Sequence, residues 1–209
     1  TKKIKIFFFA LNLIFSKKTM YLVSVGQQGQ NKTCPALPCK ILTKGGAKML
    51  ITQPQTVSLI QLADLAACAR NRIAQIYLHW TAGRYGQVYD DYHLNIDADG
   101  TIYRTCTSLT ERKSHTWRRN TGSIGIALCC GLGAQANHGY DAELGPFAPT
   151  AAQTDKLAQM LAVLAVKLDL AIEPGTIITH CEAALCDGYG PYSGDAETRW
   201  DLWYIRDSP

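Results

Sequence analysis

No pair of C-x-x-C clusters occurs in the 209 residues, so the eight cysteines do not form a structural zinc ribbon. Charge of one sign is scarce as well. Twenty-one Lys and Arg face 17 Asp and Glu, a net charge of +4 that is too small to argue for nucleic acid, although it suits an anionic polymer. No internal repeat is visible, which removes solenoids. Long apolar runs are missing too: the one candidate, Ile4–Phe15, is too short to span a bilayer comfortably, and no other segment qualifies. Histidine is sparse at five residues, few enough to weigh singly.

What is present is 47% hydrophobic residues, enough for one good core and too little chain for a second full domain. Lys2, Lys3 and Lys5 precede or interrupt Ile4–Phe15, in the manner of a secretory signal without a small-x-small cleavage site. The competing reading is translated upstream sequence, with Met20 or Met49 as the start. Residues 26–48, rich in Gln, Gly, Lys, Cys and Pro, have no period. Residues 1–48 are therefore read as an extension and residues 49–209 as the domain. Most cysteines read as small buried thiols; Cys34 and Cys39 flank a Pro-rich turn in a position to pair.

The patterning predicts helices over Thr56–Arg72 and Pro149–Leu170, the second behind a Thr150 cap with Gln153 three residues on. Strands are predicted at Ile73–Thr81, Tyr92–Asp97, Thr101–Thr105, Ser123–Cys130 and Thr176–Cys181, with a hairpin turn at Asp99-Gly100 and a closing helix over Glu197–Arg206. The expected fold is α/β, a single domain with a central mixed sheet flanked by helices.

His79 and His180 each close an apolar strand, where a side chain is presented at a sheet end. One such histidine is more often structural, but two opening into loops point to a metal. Asp201 lies between apolar residues in Arg199-Trp200-Asp201-Leu202, a costly place for an unpaired carboxylate, its plainer reading being a cap or a salt bridge to Arg199. Three protein ligands with one open position are what catalytic zinc needs. His93 is expected on the sheet face opposite Tyr92, Glu182 to pair locally, and His138 to sit in an exposed loop.

Four segments occur in a telling order: Tyr77-Leu78-His79-Trp80-Thr81-Ala82, Tyr92 through Gly100, Asn120 through Ile126, and Thr179-His180-Cys181-Glu182. From Tyr77 to about Trp203 the chain resembles type 2 N-acetylmuramoyl-L-alanine amidases, which include phage lysozyme-type amidases and peptidoglycan recognition proteins. Gly188-Tyr189-Gly190-Pro191 through Asp201 is similar to the phage and prophage endolysin branch. The resemblance implies one Zn²⁺ per chain, at the sheet edge, held by His79, His180 and Asp201. It implies catalytic roles for Tyr92 and Arg199, and a place for His115 near the substrate groove. Trp117, beside Arg118 and Arg119, is a candidate for meeting glycan, with a solvated basic loop as the plainer alternative. The partner implied is bacterial peptidoglycan or its muropeptides, at the cell wall, in the periplasm or outside the cell. Neither nucleic acid nor stable membrane insertion is expected, and oligomeric state is not legible.

Two positions depart from the family pattern. Ala127 stands where many relatives carry a catalytic glutamate, which the phage branch also lacks, and Arg199 stands where lysine is usual. Two rivals remain at this point: a non-catalytic peptidoglycan binder on the same fold, and a zinc amidase acting on a smaller amide or peptide.

Overall fold

The computed structural model describes residues 49–138 and 141–188. The expected extension, the Glu197–Arg206 helix, Arg199 and Asp201 lie outside the described residues. Within them the chain builds strand β1 (Gln55–Thr56), helix α1 (Leu59–Ala69), strands β2 (Gln75–Trp80), β3 (Leu94–Ile96), β4 (Ile102–Arg104), β5 (Ser123–Leu128), β6 (Gln135–His138) and β7 (Asp141–Glu143), helix α2 (Ala151–Leu168), strand β8 (Ile177–Thr179) and helix α3 (His180–Cys186).

Both longer helices start on a capping box. Ser58 Oγ accepts from Gln61 N while Gln61 Oε1 accepts from Ser58 N, and Thr150 and Gln153 do the same. Each pair satisfies two otherwise orphaned N–H groups, and losing the cap side chain typically costs about 1 kcal/mol. Gln153 also ties the layers together, since its buried Nε2 donates to the Ile96 carbonyl at 2.9 Å and fastens α2 to β3. Gly100 makes that fastening possible. It turns the β3–β4 hairpin at φ +85°, and a Cβ there would come within 3.1 Å of the Ala152 carbonyl oxygen.

Six strands form a mixed sheet in the order β1-β4-β3-β5-β2-β8. β2 pairs in parallel with β5 and β8, and β3 in parallel with β5, while β3–β4 and β1–β4 are antiparallel. β6 and β7 form a separate antiparallel pair. The period of two sorts the strands onto two faces. Ile76, Leu78, Trp80, Leu94, Ile96, Ile124, Ile126 and Leu128 share one core with Leu62, Ala66 and Ala69 of α1 and Leu157, Met160, Leu161, Leu164 and Leu168 of α2. Both long helices therefore cover the same face. Tyr77, on the opposite parity, packs with Ile178 and with Ala183 of α3.

Several expectations need correcting. Thr56 belongs to β1, because Gln55 and Thr56 pair with Arg104 and Tyr103 before Ser58 caps the helix. The strand before His180 stops at Thr179, and His180 opens α3 instead of ending a strand. His138 lies in β6, so the segment read as a loop is a hairpin arm. Cys106, Cys129, Cys130 and Cys181 are buried thiols as expected, but Cys68 is disulfide-bonded, and Cys186 is exposed. Burial pushes the Cys106 and Cys129 thiols up to about 12, which leaves them unreactive.

Candidate active site

The site lies on the sheet face away from the two long helices. His79 is the penultimate residue of β2, in register with Ala127 of β5, and is completely buried. His180 follows β8, the edge strand next to β2, as the first residue of α3. Thr179 and Glu182 hold that junction: Glu182 Oε2 accepts from Thr179 N at 3.0 Å, and Thr179 Oγ1 accepts from Glu182 N at 3.1 Å. Glu182 thus pairs locally, as expected, and fixes the start of the helix that carries His180.

Adjacent parallel strands bring the two imidazoles together, with ring centroids 4.9 Å apart and planes at 67°. Two imidazoles bound to one tetrahedral zinc, with Zn–N about 2.0–2.1 Å, have centroids roughly 5 Å apart. The pair therefore fits a shared ion. Among the described residues no group of three His, Cys, Asp or Glu side chains converges, and Asp201, the third member of the expected set, lies outside them.

Around His79 stands a ring of aromatic and imidazole groups. Tyr92 is buried, its ring centroid 5.0 Å from that of His79, and its hydroxyl donates to the Trp80 carbonyl at 3.5 Å. His115 is buried with its ring 5.4 Å from His79 and 5.6 Å from His93. His93 therefore faces the same cluster as Tyr92. The expectation of opposite faces fails because β3 begins only at Leu94, so both residues sit in the preceding bend, where strand alternation does not apply. His93 is a neutral structural histidine: Nδ1 accepts from Gly125 N at 3.0 Å, which leaves Nε2 to donate to the Glu111 carbonyl at 2.7 Å. Burial is the main cause that lowers it to about 4.

The loop between β4 and β5 positions His115. Asn120 Oδ1 accepts from the backbone N–H of both His115 and Thr116, at 3.1 and 2.8 Å. Arg119 clamps the loop to the end of α3 through paired bonds to Asp187 at 2.6 and 2.5 Å, and the guanidinium holds that carboxyl below the usual range. Trp117 points outward, 54% exposed, with the Arg118 guanidinium 4.1 Å above its ring.

A family model described as N-acetylmuramoyl-L-alanine amidase matches residues 52–193. The chain belongs to that amidase family. The matched span contains His79, Tyr92, His115, Trp117 and His180 and stops short of Arg199 and Asp201. Among solved structures, the peptidoglycan recognition protein PGRP-Hd from Alvinella pompejana is similar at 18% identity over 67% of this chain and 92% of that one, with a TM-score of 0.35, too slight a likeness to inform function. Comparison with curated proteins found no match.

In this amidase-family chain, four residues matter that the sequence pattern alone did not single out. Thr116 and Ser123 hydrogen-bond the His115 ring, and Asn120 organises the loop. Gly125 leaves room for the imidazole, since a Cβ there would stand 2.6 Å from His115 Cγ. The signal was present in Ser123-Ile124-Gly125-Ile126, which alternates polar or glycine positions with apolar ones in a strand that is buried throughout.

Proposed function

We propose that the protein is a zinc-dependent hydrolase of the amide bond between N-acetylmuramic acid and the L-alanine of the stem peptide, a wall-lytic enzyme of the endolysin type. The observation that carries this is the pair of imidazoles, His79 in β2 and His180 just after the adjacent parallel strand β8, with ring centroids 4.9 Å apart in a member of the amidase family. His79, His180 and Asp201 would hold the ion. Bound zinc supplies a Lewis acid and a water acidified toward neutrality. Tyr92 orients the reacting water or carbonyl through its hydroxyl, on a ring that lies beside His79. Arg199, a cation that stays protonated, stabilises negative charge on the carbonyl oxygen but does not deliver a proton. His115 and Trp117 are assigned to the substrate side, the first buried and the second exposed. The substrate is peptidoglycan or its muropeptides, met at the cell wall, in the periplasm or outside the cell. Among the described residues no helix is long and apolar enough to cross a membrane.

The second reading is a non-catalytic peptidoglycan binder on the same fold. Ala127 lies in register beside His79, so β5 offers no carboxylate to the site, an absence shared with the phage branch and therefore compatible with either reading. A single experiment separates the two: zinc content of the purified chain, together with mass spectrometry of peptidoglycan after incubation. Release of stem peptides with a free L-alanine amino group, lost on chelation and regained with zinc, supports the enzyme. Full activity with metal verified absent refutes the zinc mechanism, and binding without release supports the alternative.

A further inference from the structure

We propose that Ser123, His115 and Thr116 form a relay that fixes the tautomer of His79 and so selects Nδ1 as its metal-binding nitrogen. The inference rests on the zinc site proposed above but concerns residues to which that reading gives no such role. Its direction follows from counting protons. Ser123 Oγ donates its one proton to the Arg119 carbonyl at 2.6 Å. Its contact with His115 Nε2 at 3.3 Å must therefore run the other way, with Nε2–H donating. In a neutral imidazole the other nitrogen then accepts, so Thr116 Oγ1 donates to His115 Nδ1 at 2.9 Å. That commits the single Thr116 proton. The remaining contact, Thr116 Oγ1 to His79 Nε2 at 3.4 Å, is one in which Nε2–H of His79 donates, and the ring's lone pair is on Nδ1.

The relay is held in place before any ion arrives. Asn120 pins the backbone of His115 and Thr116, Gly125 lets the His115 ring lie against β5, and the Ser123 hydroxyl is buried in that strand. A metal-binding imidazole whose other N–H has an acceptor is both oriented and more basic, and losing such a partner typically weakens metal binding about 10–100-fold. His115 and Thr116 are in this sense positioning residues, acting on the ion through His79.

The test uses the full chain and has two readouts besides activity. Long-range ¹H–¹⁵N correlation spectra of the histidine rings, on metal-stripped protein at a pH well above the ordinary imidazole range, should show His79 and His115 each as a single Nε2–H tautomer. Thr116→Val should move His79 toward a mixture of tautomers. Zinc dissociation constants, from competition with a chromophoric chelator, should rise about 10–100-fold in Thr116→Val and return to within a few-fold of the original in Thr116→Ser. An Nδ1–H tautomer at His79 overturns the proposal, as does a Thr116→Val variant that binds zinc like the parent. If the valine variant does not fold, the wild-type spectrum still decides the tautomer. If the wild-type chain binds no zinc at all, the proposed function fails, while the spectra judge the relay by themselves.

Discussion

The neutral, buried His93 makes the fold sensitive to mild acid, and the size of the effect can be worked from its surroundings. Nδ1 accepts from Gly125 N, so protonation would set two N–H donors against each other inside the sheet. Burial is the largest cause of the lowered value, the Lys113 charge adds to it, and the bond to the Glu111 carbonyl partly opposes both. The folded value is about 4 against an ordinary 6.5. Between those two pH values the unfolded chain binds a proton that the folded chain does not, so stability falls as pH falls. Its contribution is fully present above pH 6.5 and is lost by about pH 4, with a slope approaching 1.36 kcal/mol per pH unit and a total of about 3 kcal/mol. A domain stable by about 5–15 kcal/mol would feel that loss strongly.

The assay is urea denaturation across this pH range in the presence of chelator, so that metal release from His79 and His180 does not enter. The comparison protein is His93→Gln, which keeps a donor and an acceptor but does not titrate. The wild-type chain should lose about 3 kcal/mol more than the variant between pH 6.5 and pH 4. Parallel profiles for the two proteins would refute the reasoning, because they would mean that His93 accepts a proton in the native state at little cost.

Gly125→Ala should destabilise the domain by about 1–3 kcal/mol in the same denaturation assay, since the new methyl meets the His115 ring at 2.6 Å from Cγ with strand backbone behind it. Asp201→Ala should abolish or severely weaken zinc binding, whereas Tyr92→Phe should keep the metal and lower turnover; equal metal loss in both, measured by elemental analysis, would invalidate the division of roles. Arg199→Ala should lower turnover on purified peptidoglycan, normalised to bound zinc, by about a hundredfold or more, and Arg199→Lys should retain much of it. An alanine variant within a few-fold of wild type would remove Arg199 from the chemistry.

The parts of the fold legible in the sequence were those governed by short-range rules. Gln153 behind Thr150, the Asp99-Gly100 turn and the apolar period of Leu157, Leu161, Leu164 and Leu168 each have a local cause and appear where expected. What failed depended mostly on partners distant in sequence. Gln55 and Thr56 carry no strand period, and they become a strand only because Arg104 and Tyr103 present an edge. His180 looked like a strand end because Ile177-Ile178-Thr179 is apolar and β-branched. The Thr179–Glu182 exchange of hydrogen bonds, a local cause that the apolar run masks, turns the chain into a helix earlier. The candidate histidines could be named from the apolar runs that precede them, but not their spacing. That depends on β2 lying between β5 and β8, which only the topology shows.

The same topology gives Ala127 its meaning. In a parallel pair, register decides which side chains stand together, and here it sets Ala127 against His79 and Gly125 against Tyr77 on the site's face of the sheet. A glutamate at 127 would lie within the histidine cluster, so alanine there removes a carboxylate from the place where it would act. Gly125 and Ala127, both small, instead leave space on β5 that His115 partly occupies. The neighbours of His79 from this side are thus Tyr92, Thr116 and His115, groups that orient and exchange protons without adding negative charge. Among the three proposed ligands, negative charge for a bound cation then comes from Asp201 alone. Asp201 would be both a ligand and the main electrostatic counterweight to the ion, which is why its loss is expected to empty the site, whereas loss of Tyr92's hydroxyl leaves the metal in place.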